Sequence, residues 1–155
     1  ILGGVLEGAT VLDLCCGAGG LGIEALSRGA GRAVFVDRSA RALAAVRANL
    51  ERCGATADRF TLVRADAEAW LSRMPAPAGP WLALADPPYA GTLAGELAVL
   101  LGQRAASSGF VAAVIEHAAR GPELPPLACA AQTRRYGETA ITVLKPGPAG
   151  GEARP

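Results

Sequence analysis

Residues 9–29 read ATVLDLCCGAGGLGIEALSRG: an apolar run of strand length, a glycine-rich turn and a segment of helical period. The apolar run ends at Asp13, and the turn spaces its glycines as G-x-G-x-x-G, at Gly17, Gly19 and Gly22. This spacing allows a tight turn, a close approach of the backbone to a ligand and close packing of the next helix. The segment therefore predicts the first βα unit of an α/β fold that binds a nucleotide-like ligand.

The same alternation continues along the chain. Further apolar runs cover 33–37, 60–66, 81–86 and 110–117, and segments of helical period separate most of them. This order is typical of βαβ units with a parallel sheet. The last two β-like runs, 127–136 and 138–145, are joined at Gly137, and so short a connection predicts an antiparallel hairpin at the sheet edge.

Two of the helical segments carry clear end signals and apolar faces. In the first, Leu21, Ala25 and Leu26 share a face that we expect to be buried, and Gly29 should end the helix. In the second, Ser39 is the expected N-cap and Gly54 follows the end. Its expected buried stripe is Leu43, Val46 and Leu50.

Length and composition bound the function. A chain of 155 residues, half of them apolar, is expected to form one domain. The net charge of +1 gives no broad basic field, although every basic residue except Lys145 is arginine. The four cysteines form no C-x-x-C pair, so we expect small thiols in or near the core and no metal site. Without an apolar run of membrane-spanning length or a signal peptide, the chain is predicted to be cytoplasmic.

Four aspartates close predicted strands: Asp13, Asp37, Asp66 and Asp86. In an open parallel α/β sheet, ligands bind at the carboxyl ends of the strands. We therefore expect the four acids to surround one site. For Asp66 a purely structural role as a helix N-cap is the alternative.

The glycine turn alone does not identify the ligand. Asp37 follows Gly17 by twenty residues, where an acid would bind a ribose hydroxyl of either NAD or S-adenosylmethionine. Two features favour S-adenosylmethionine. Asp13 lies four residues before Gly17, where it could receive an ammonium group, which NAD lacks, and residues 86–89 read DPPY.

The DPPY segment suits methyl transfer to a planar amino nitrogen. Such a nitrogen is a poor nucleophile because its lone pair is delocalised, and two acceptors that take its hydrogens would make it more nucleophilic. The Asp86 carboxylate and the Pro87 carbonyl are candidate acceptors, while Pro87 and Pro88 make the turn rigid. Tyr89 could stack on the target ring and align it. The structural alternative is a rigid turn that only ends the strand.

Other chemistry-bearing residues have structural interpretations. Glu116 and His117 are expected at a solvated strand end, and Trp70 and Trp81 in core or rim packing.

Taken together, these residues resemble the bacterial 16S rRNA guanine-N2 methyltransferases of the RsmD type, over about Leu12–Leu144. The cofactor loop and first helix are similar in LDLCCGAGGLGIEALSRGA, and the second strand and helix in FVDRSARALAAVRANL. The catalytic motif matches in LADPPY, and RRYGETAITVL is similar to the closing hairpin.

The resemblance implies a Rossmann-like, doubly wound, mostly parallel sheet of seven strands with the last strand antiparallel. It implies S-adenosylmethionine as cofactor and methylation of guanine N2 in 16S rRNA, as naked RNA or in a small-subunit assembly particle. We expect the protein to act as a monomer. Catalysis would fall to Asp86, Pro87, Pro88 and Tyr89. The predicted cofactor residues are Asp13, Cys15, Gly17, Gly19, Asp37, Arg38, Asp66, Ala67 and Asp86, with Asp66 holding the adenine amino group and Ala67 donating a backbone N–H.

Two departures from the family pattern affect these expectations. The family's aromatic-Ala-Gly-Ser-Gly turn is replaced by Cys15–Cys16–Gly17–Ala18–Gly19, which keeps the glycines. The basic N-terminal arm with its Arg-Pro-Thr segment is missing, and a chain that starts at Ile1 is expected to lack an upstream segment. We expect the methyltransferase domain to span 1–145 and a disordered tail to span 146–155.

Several functions remain open from the residues alone. Amino methylation could act on DNA adenine or on a protein glutamine, although the glutamine enzymes typically carry Asn where Asp86 stands. A nicotinamide-dependent dehydrogenase would use the same glycine turn, but it needs a substrate domain. A noncatalytic module that kept the cofactor fold is a further alternative.

Overall fold

The computed structural model of the protein describes residues 4–147. Apart from Pro146 and Gly147, the tail predicted for 146–155 lies outside the described residues. The strands are β1 (Thr10–Leu14), β2 (Arg32–Asp37), β3 (Phe60–Arg64), β4 (Trp81–Ala85), β5 (Phe110–Ala118), β6 (Ala130–Tyr136) and β7 (Thr139–Lys145). The helices are α1 (Gly20–Ser27), α2 (Ala40–Arg52), α3 (Ala67–Arg73) and α4 (Leu93–Arg104), with a 3₁₀ turn at Ala57–Arg59.

The seven strands form one sheet in the order β3-β2-β1-β4-β5-β7-β6. Neighbours from β3 through β5 are parallel, and β7 runs antiparallel to both β5 and β6. The predicted Rossmann-like fold with an antiparallel last strand is therefore confirmed. The strand order reverses between β1 and β4, and the carboxyl edge at such a reversal is where open α/β sheets bind ligands.

Two apolar cores cover the two faces of the sheet. On one face, α1 and α2 pack over β1 and β2, with Val11, Phe35 and Val46 at the centre. On the other face, α3 and α4 pack over β1, β4 and β5, with Leu12 and Trp81 among the buried side chains. Val11 and Leu12 fall in opposite cores because successive side chains of a strand point to opposite faces.

Most predicted helix features are confirmed. Leu43, Val46 and Leu50 are the buried residues of α2, and the hydroxyl of Ser39 accepts a hydrogen bond from the Ala42 N–H. Trp81 is fully buried in the core, and Trp70 packs against its margin, as expected.

Three details were predicted wrongly. Leu21 is 46% exposed, because α1 begins at Gly20 and its buried face is made by Gly22, Ala25 and Leu26. The strand expected to reach Asp66 ends at Arg64, since Asp66 is the N-cap of α3. Cys53 is exposed, whereas a core or half-buried thiol was expected; it follows the last residue of α2.

No helix within residues 4–147 combines the length and the apolar character needed to span a bilayer.

Candidate active site

A cleft of about 820 Å³ opens along the carboxyl ends of β1 to β4. Its size lies in the range of about 300–1,000 Å³ that is usual for small-molecule sites. Most of the predicted site residues line it, namely Cys15, Gly17, Asp37, Arg38, Asp66, Ala67, Asp86, Pro87, Pro88 and Tyr89. The other two, Asp13 and Gly19, are buried and are not part of the lining.

Asp13 braces the glycine turn from inside the protein. It is 1% exposed, and its Oδ2 accepts a hydrogen bond of 2.8 Å from the Gly22 N–H. Burial raises the pKa of Asp13 to about 7, against the lowering effect of that hydrogen bond. A Cβ at Gly22 would lie 2.4 Å from the Phe35 ring and 3.0 Å from Asp13 Oδ2, so only glycine fits there.

Asp37 ties the glycine turn to the end of β2. Its Oδ2 accepts a hydrogen bond of 3.0 Å from the Gly17 N–H, and its Oδ1 accepts one of 2.8 Å from the Ser39 N–H. Both carboxylate oxygens are thereby fixed while the residue still lines the cleft.

Asp66 is the N-cap of α3, the structural role that the sequence left open for it, and it also lines the cleft. Its Oδ1 accepts a hydrogen bond of 2.9 Å from the Ala69 N–H at the start of α3. The next residue, Ala67, is buried and lines the same cleft. A cap and a ligand contact are compatible, because a carboxylate offers about four acceptor positions.

Cys15 holds an unusual backbone conformation at the start of the turn. Its φ of 58° is the one positive φ of a non-glycine residue in the described part of the chain. Burial, with a smaller contribution from the neighbouring Asp37, raises the pKa of its thiol to about 11, so the thiol stays neutral at pH 7. Cys15 therefore shapes the cleft without adding charge to it.

The DPPY segment, residues 86–89, forms a second wall of the cleft. Asp86 directly follows β4 and is exposed, and its carboxylate accepts no hydrogen bond from any described residue. Partial burial and, secondly, the charge of Glu116 raise the pKa of Asp86. Pro87 is buried, which anchors the turn.

Tyr89 is held by two partners on the neighbouring strands. Its hydroxyl donates to Glu116 Oε1 at 2.5 Å and lies 2.8 Å from Thr139 Oγ1. The hydrogen bond to Glu116 raises the pKa of Tyr89, so the hydroxyl remains protonated. With 47% of the side chain exposed, the tyrosine has a fixed end and a ring that solvent can reach.

Glu116 and Thr139 are the contributors that sequence reasoning missed. Glu116 was expected to be a solvated strand end, but Ile115 pairs with Ala85, so Glu116 lies beside Asp86 where β4 ends. The sequence feature that could have indicated Glu116 is its position as an acidic residue near the end of the strand that follows the DPPY segment along the chain. His117 has a structural contact instead, since its Nε2 lies 2.9 Å from Thr142 Oγ1.

The charges around the cleft are unbalanced. Four carboxylates, Asp37, Asp66, Asp86 and Glu96, line it against one guanidinium, that of Arg38. The geometry therefore favours a ligand with positive charge over one with phosphates. No group of three or more metal-ligating side chains occurs in the stretch that the structure describes.

A smaller cleft of about 410 Å³ adjoins the first. It lies between α4 and the 121–125 loop, and it shares Tyr89, Thr92 and Glu96 with the larger cleft. Two ligands could therefore meet at Tyr89.

Comparison with known proteins agrees with this architecture. The family model described as "Conserved hypothetical protein 95" matches residues 1–145. The chain belongs to this family of RsmD-type methyltransferases. A relative from Bacillus subtilis (strain 168), named "Putative rRNA methyltransferase YlbH", is 33% identical over 151 residues, which cover 94% of this chain and 80% of the relative.

Solved structures show the same fold. A conserved hypothetical protein of Streptococcus pyogenes is 31% identical with a TM-score of 0.71, covering 90% of this chain and 87% of that chain. The Haemophilus influenzae protein HI0767 superposes with a TM-score of 0.76 at 19% identity, covering 94% and 91%, a likeness that concerns the fold alone.

Proposed function

We propose that this methyltransferase transfers a methyl group from S-adenosylmethionine to the exocyclic N2 of a guanine in 16S rRNA. The substrate part of the proposal is supported by the family resemblance and by the name of the Bacillus subtilis relative. The cofactor part is supported by the cleft itself.

The contact between Asp13 and Gly22 carries the choice of cofactor. In dinucleotide-binding proteins, the pyrophosphate binds the N–H groups at the N-terminus of the first helix. Here the buried Asp13 carboxylate already accepts the Gly22 N–H of α1. A pyrophosphate would approach that carboxylate and the acidic lining, whereas the cationic S-adenosylmethionine would find complementary charge.

The residues present fit this cofactor. Asp37 would accept hydrogen bonds from the ribose hydroxyls, and Asp66 and the Ala67 N–H would bind the adenine. The glycine turn would face the amino acid end, with the charge of Asp13 buried behind it. When bound, the cofactor supplies an electrophilic methyl group on a sulfonium.

The chain's own part in the reaction lies at the DPPY segment. The Asp86 carboxylate and the Pro87 carbonyl would accept the two N–H groups of the target, and the Tyr89 ring would stack on the guanine. Methyl transfer would form an N–C bond and break the bond between the methyl group and sulfur, after which the nitrogen must lose a proton. Asp86, whose pKa is raised, is the one carboxylate of the motif and would accept it. The adjoining cleft behind Tyr89 provides space for a second ligand.

Calorimetry with S-adenosylhomocysteine and with NAD tests the cofactor. We expect saturable binding of the former and none of the latter. Asp37→Ala should weaken S-adenosylhomocysteine binding by about 1–3 kcal/mol, the scale of hydrogen bonds to a charged acceptor. Glu51→Ala, an exposed acid on α2, is the matched control and should bind normally. Saturable NAD binding without any S-adenosylhomocysteine binding would overturn the methyltransferase assignment.

Mapping of methylated positions on rRNA tests the substrate. Cells that lack the full-length protein should lose one N2-methylguanine in 16S rRNA, and the gene should restore it. An unchanged rRNA methylation pattern together with a lost methyl group on a protein or on DNA would contradict the proposed target.

A further inference from the structure

Both tyrosines of this chain are exposed, and both adjoin Thr139. Tyr89 is 47% exposed and Tyr136 is 54% exposed. Thr139 connects them: it is the cross-strand partner of Tyr136 in the β6–β7 hairpin, and its hydroxyl lies 2.8 Å from the Tyr89 hydroxyl. Two solvent-accessible aromatic rings therefore flank one threonine next to the candidate active site.

These side chains share one face of the sheet. Directly opposed residues of an antiparallel pair point to the same face, so Tyr136 shares the face of Thr139. Arg134 shares it too, because it lies two residues before Tyr136 on β6, opposite Ile141. We call Arg134, Tyr136 and Thr139 the hairpin face.

The hairpin face offers free positive charge. β6 is the outermost strand, and its residues from Ala131 to Tyr136 are exposed. Within residues 4–147, Arg134 has neither an ion pair nor a side-chain hydrogen bond. Glu116 accepts the Tyr89 hydroxyl, and Glu138 lies in the exposed hairpin turn; within the described residues neither forms an ion pair with Arg134.

We infer that the hairpin face binds the RNA strand beside the target nucleotide, with Tyr136 stacking on an adjacent base and Arg134 contacting a phosphate. This inference rests on the proposed function. The acidic cleft would repel the backbone of a polyanion, so cations outside it must hold the phosphates. Unpaired RNA bases typically stack on exposed aromatic side chains, which adds about 1–3 kcal/mol per base.

The outward arginines of α2 do not offer the same surface. Arg47 and Arg52 are exposed on a helix that packs over β2 and β3, at the other end of the sheet from the hairpin. Arg52 donates a hydrogen bond to Asn49, and neither of the two exposed tyrosines lies there. Arg47 therefore provides a matched control for a change of charge.

The test uses the full-length protein and 16S rRNA, with RNA binding measured over a series of salt concentrations. Arg134→Ala should weaken binding and lower the slope of log K against log salt by about one. Tyr136→Ala should weaken binding about tenfold at every salt concentration, whereas Tyr136→Phe should bind normally. Both alanine variants should raise KM for RNA while kcat and S-adenosylhomocysteine affinity stay within about threefold.

The outcomes separate this inference from the proposed function. If wild-type protein methylates rRNA and both alanine variants keep the wild-type KM, the hairpin face is not the RNA-binding surface. If Arg47→Ala weakens binding as much as Arg134→Ala, the effect is one of net charge and the inference fails. If wild-type protein neither binds nor methylates RNA, the proposed function itself is wrong, and the inference with it.

Discussion

The two halves of the sheet's carboxyl edge use their acids differently. At the ends of β1, β2 and β3, the carboxylates of Asp13, Asp37 and Asp66 each accept hydrogen bonds from the chain's own backbone. At the end of β4, Asp86 accepts none from the described residues. Around Asp86, the fixed group is instead the Tyr89 hydroxyl, which Glu116 binds.

In the mechanism that we propose, this difference separates cofactor binding, at the ends of β1 to β3, from chemistry, at the end of β4. Carboxylates that accept hydrogen bonds from backbone N–H groups hold the glycine turn and the start of α3 in place. The half of the edge formed by β1, β2 and β3 is therefore preorganised for a ligand. An acid without a partner, with a raised pKa and on a rigid turn, keeps its acceptor capacity for a substrate. We therefore expect substitutions in the first half to change affinity and stability, and those in the second half to change turnover.

The largest effect should come from Asp86→Ala. It should reduce kcat for rRNA by a hundredfold or more, because one electrostatic contact made in the transition state contributes about 3–4 kcal/mol. Affinity for S-adenosylhomocysteine should stay within about threefold, and thermal stability should not fall, because the Asp86 carboxylate makes no hydrogen bond within residues 4–147. Single-turnover methylation and calorimetry on the same full-length protein measure both.

Two outcomes would contradict this division. A variant with Asp86→Ala that methylates guanine at nearly the wild-type rate would exclude the proposed mechanism. A large loss of cofactor affinity would show that Asp86 belongs to the binding half.

The second prediction concerns Asp13 and pH. A buried acid whose pKa is raised to about 7 destabilises the folded protein progressively as pH rises from about 4 through 7, because only the unfolded chain ionises freely over that window. Asp13→Asn should remove this fall, so the variant should be about 1–3 kcal/mol more stable than wild type at pH 8. Denaturant unfolding at pH 5 and pH 8 measures the difference.

Cofactor affinity should rise with pH over the range in which folding stability falls. An ammonium group near Asp13 favours the ionised carboxylate, so S-adenosylhomocysteine affinity should rise with pH through about 7 in wild type. Asp13→Asn should lose about tenfold in affinity at pH 8 and show no such rise. If the variant binds the cofactor as wild type does at both pH values, Asp13 has no role toward the ligand and acts only as a brace for Gly22.

The fold, and most of the residues that line the cleft, could be predicted from the sequence because the strongest signals are local. Strand length, glycine spacing and the Ser39 cap depend on neighbouring residues, and the strand ends then place Asp37 and Asp86 at one edge by topology. The contacts that were missed are long-range. Glu116 and Thr139 reach Tyr89 from 27 and 50 residues away. The position of Glu116 near a strand end indicates that it could lie near the site, but no local pattern indicates that either residue contacts Tyr89. The hydrogen bond that the Asp13 carboxylate accepts from the Gly22 N–H could not be predicted either. It depends on how Gly22 packs against Phe35, which no local pattern indicates.

The smallest effect should come from the contact that fixes Tyr89. Tyr89→Phe keeps the stacking ring but loses the hydroxyl, so kcat should fall only about two- to fivefold, in line with a net hydrogen-bond contribution of about 1 kcal/mol. Glu116→Ala should cost a similar factor. The double variant should cost no more than either single change, because both remove the same interaction, and the double-mutant cycle measures this coupling. Tyr89→Ala, which loses the ring as well, should be clearly worse.

A pH profile distinguishes positioning by Glu116 from a merely structural role. The charge of Glu116 contributes to the raised pKa of Asp86. Glu116→Gln can still accept the Tyr89 hydroxyl but carries no charge, so it should keep kcat near wild type while the acidic limb of the pH–rate profile moves to lower pH. Glu116→Ala should move that limb as well and also lower kcat. If Glu116→Gln leaves the limb unchanged, the charge of Glu116 does not act on Asp86 during catalysis. If losses in the double variant are additive, Tyr89 is not positioned by Glu116 and the two halves differ only at Asp86.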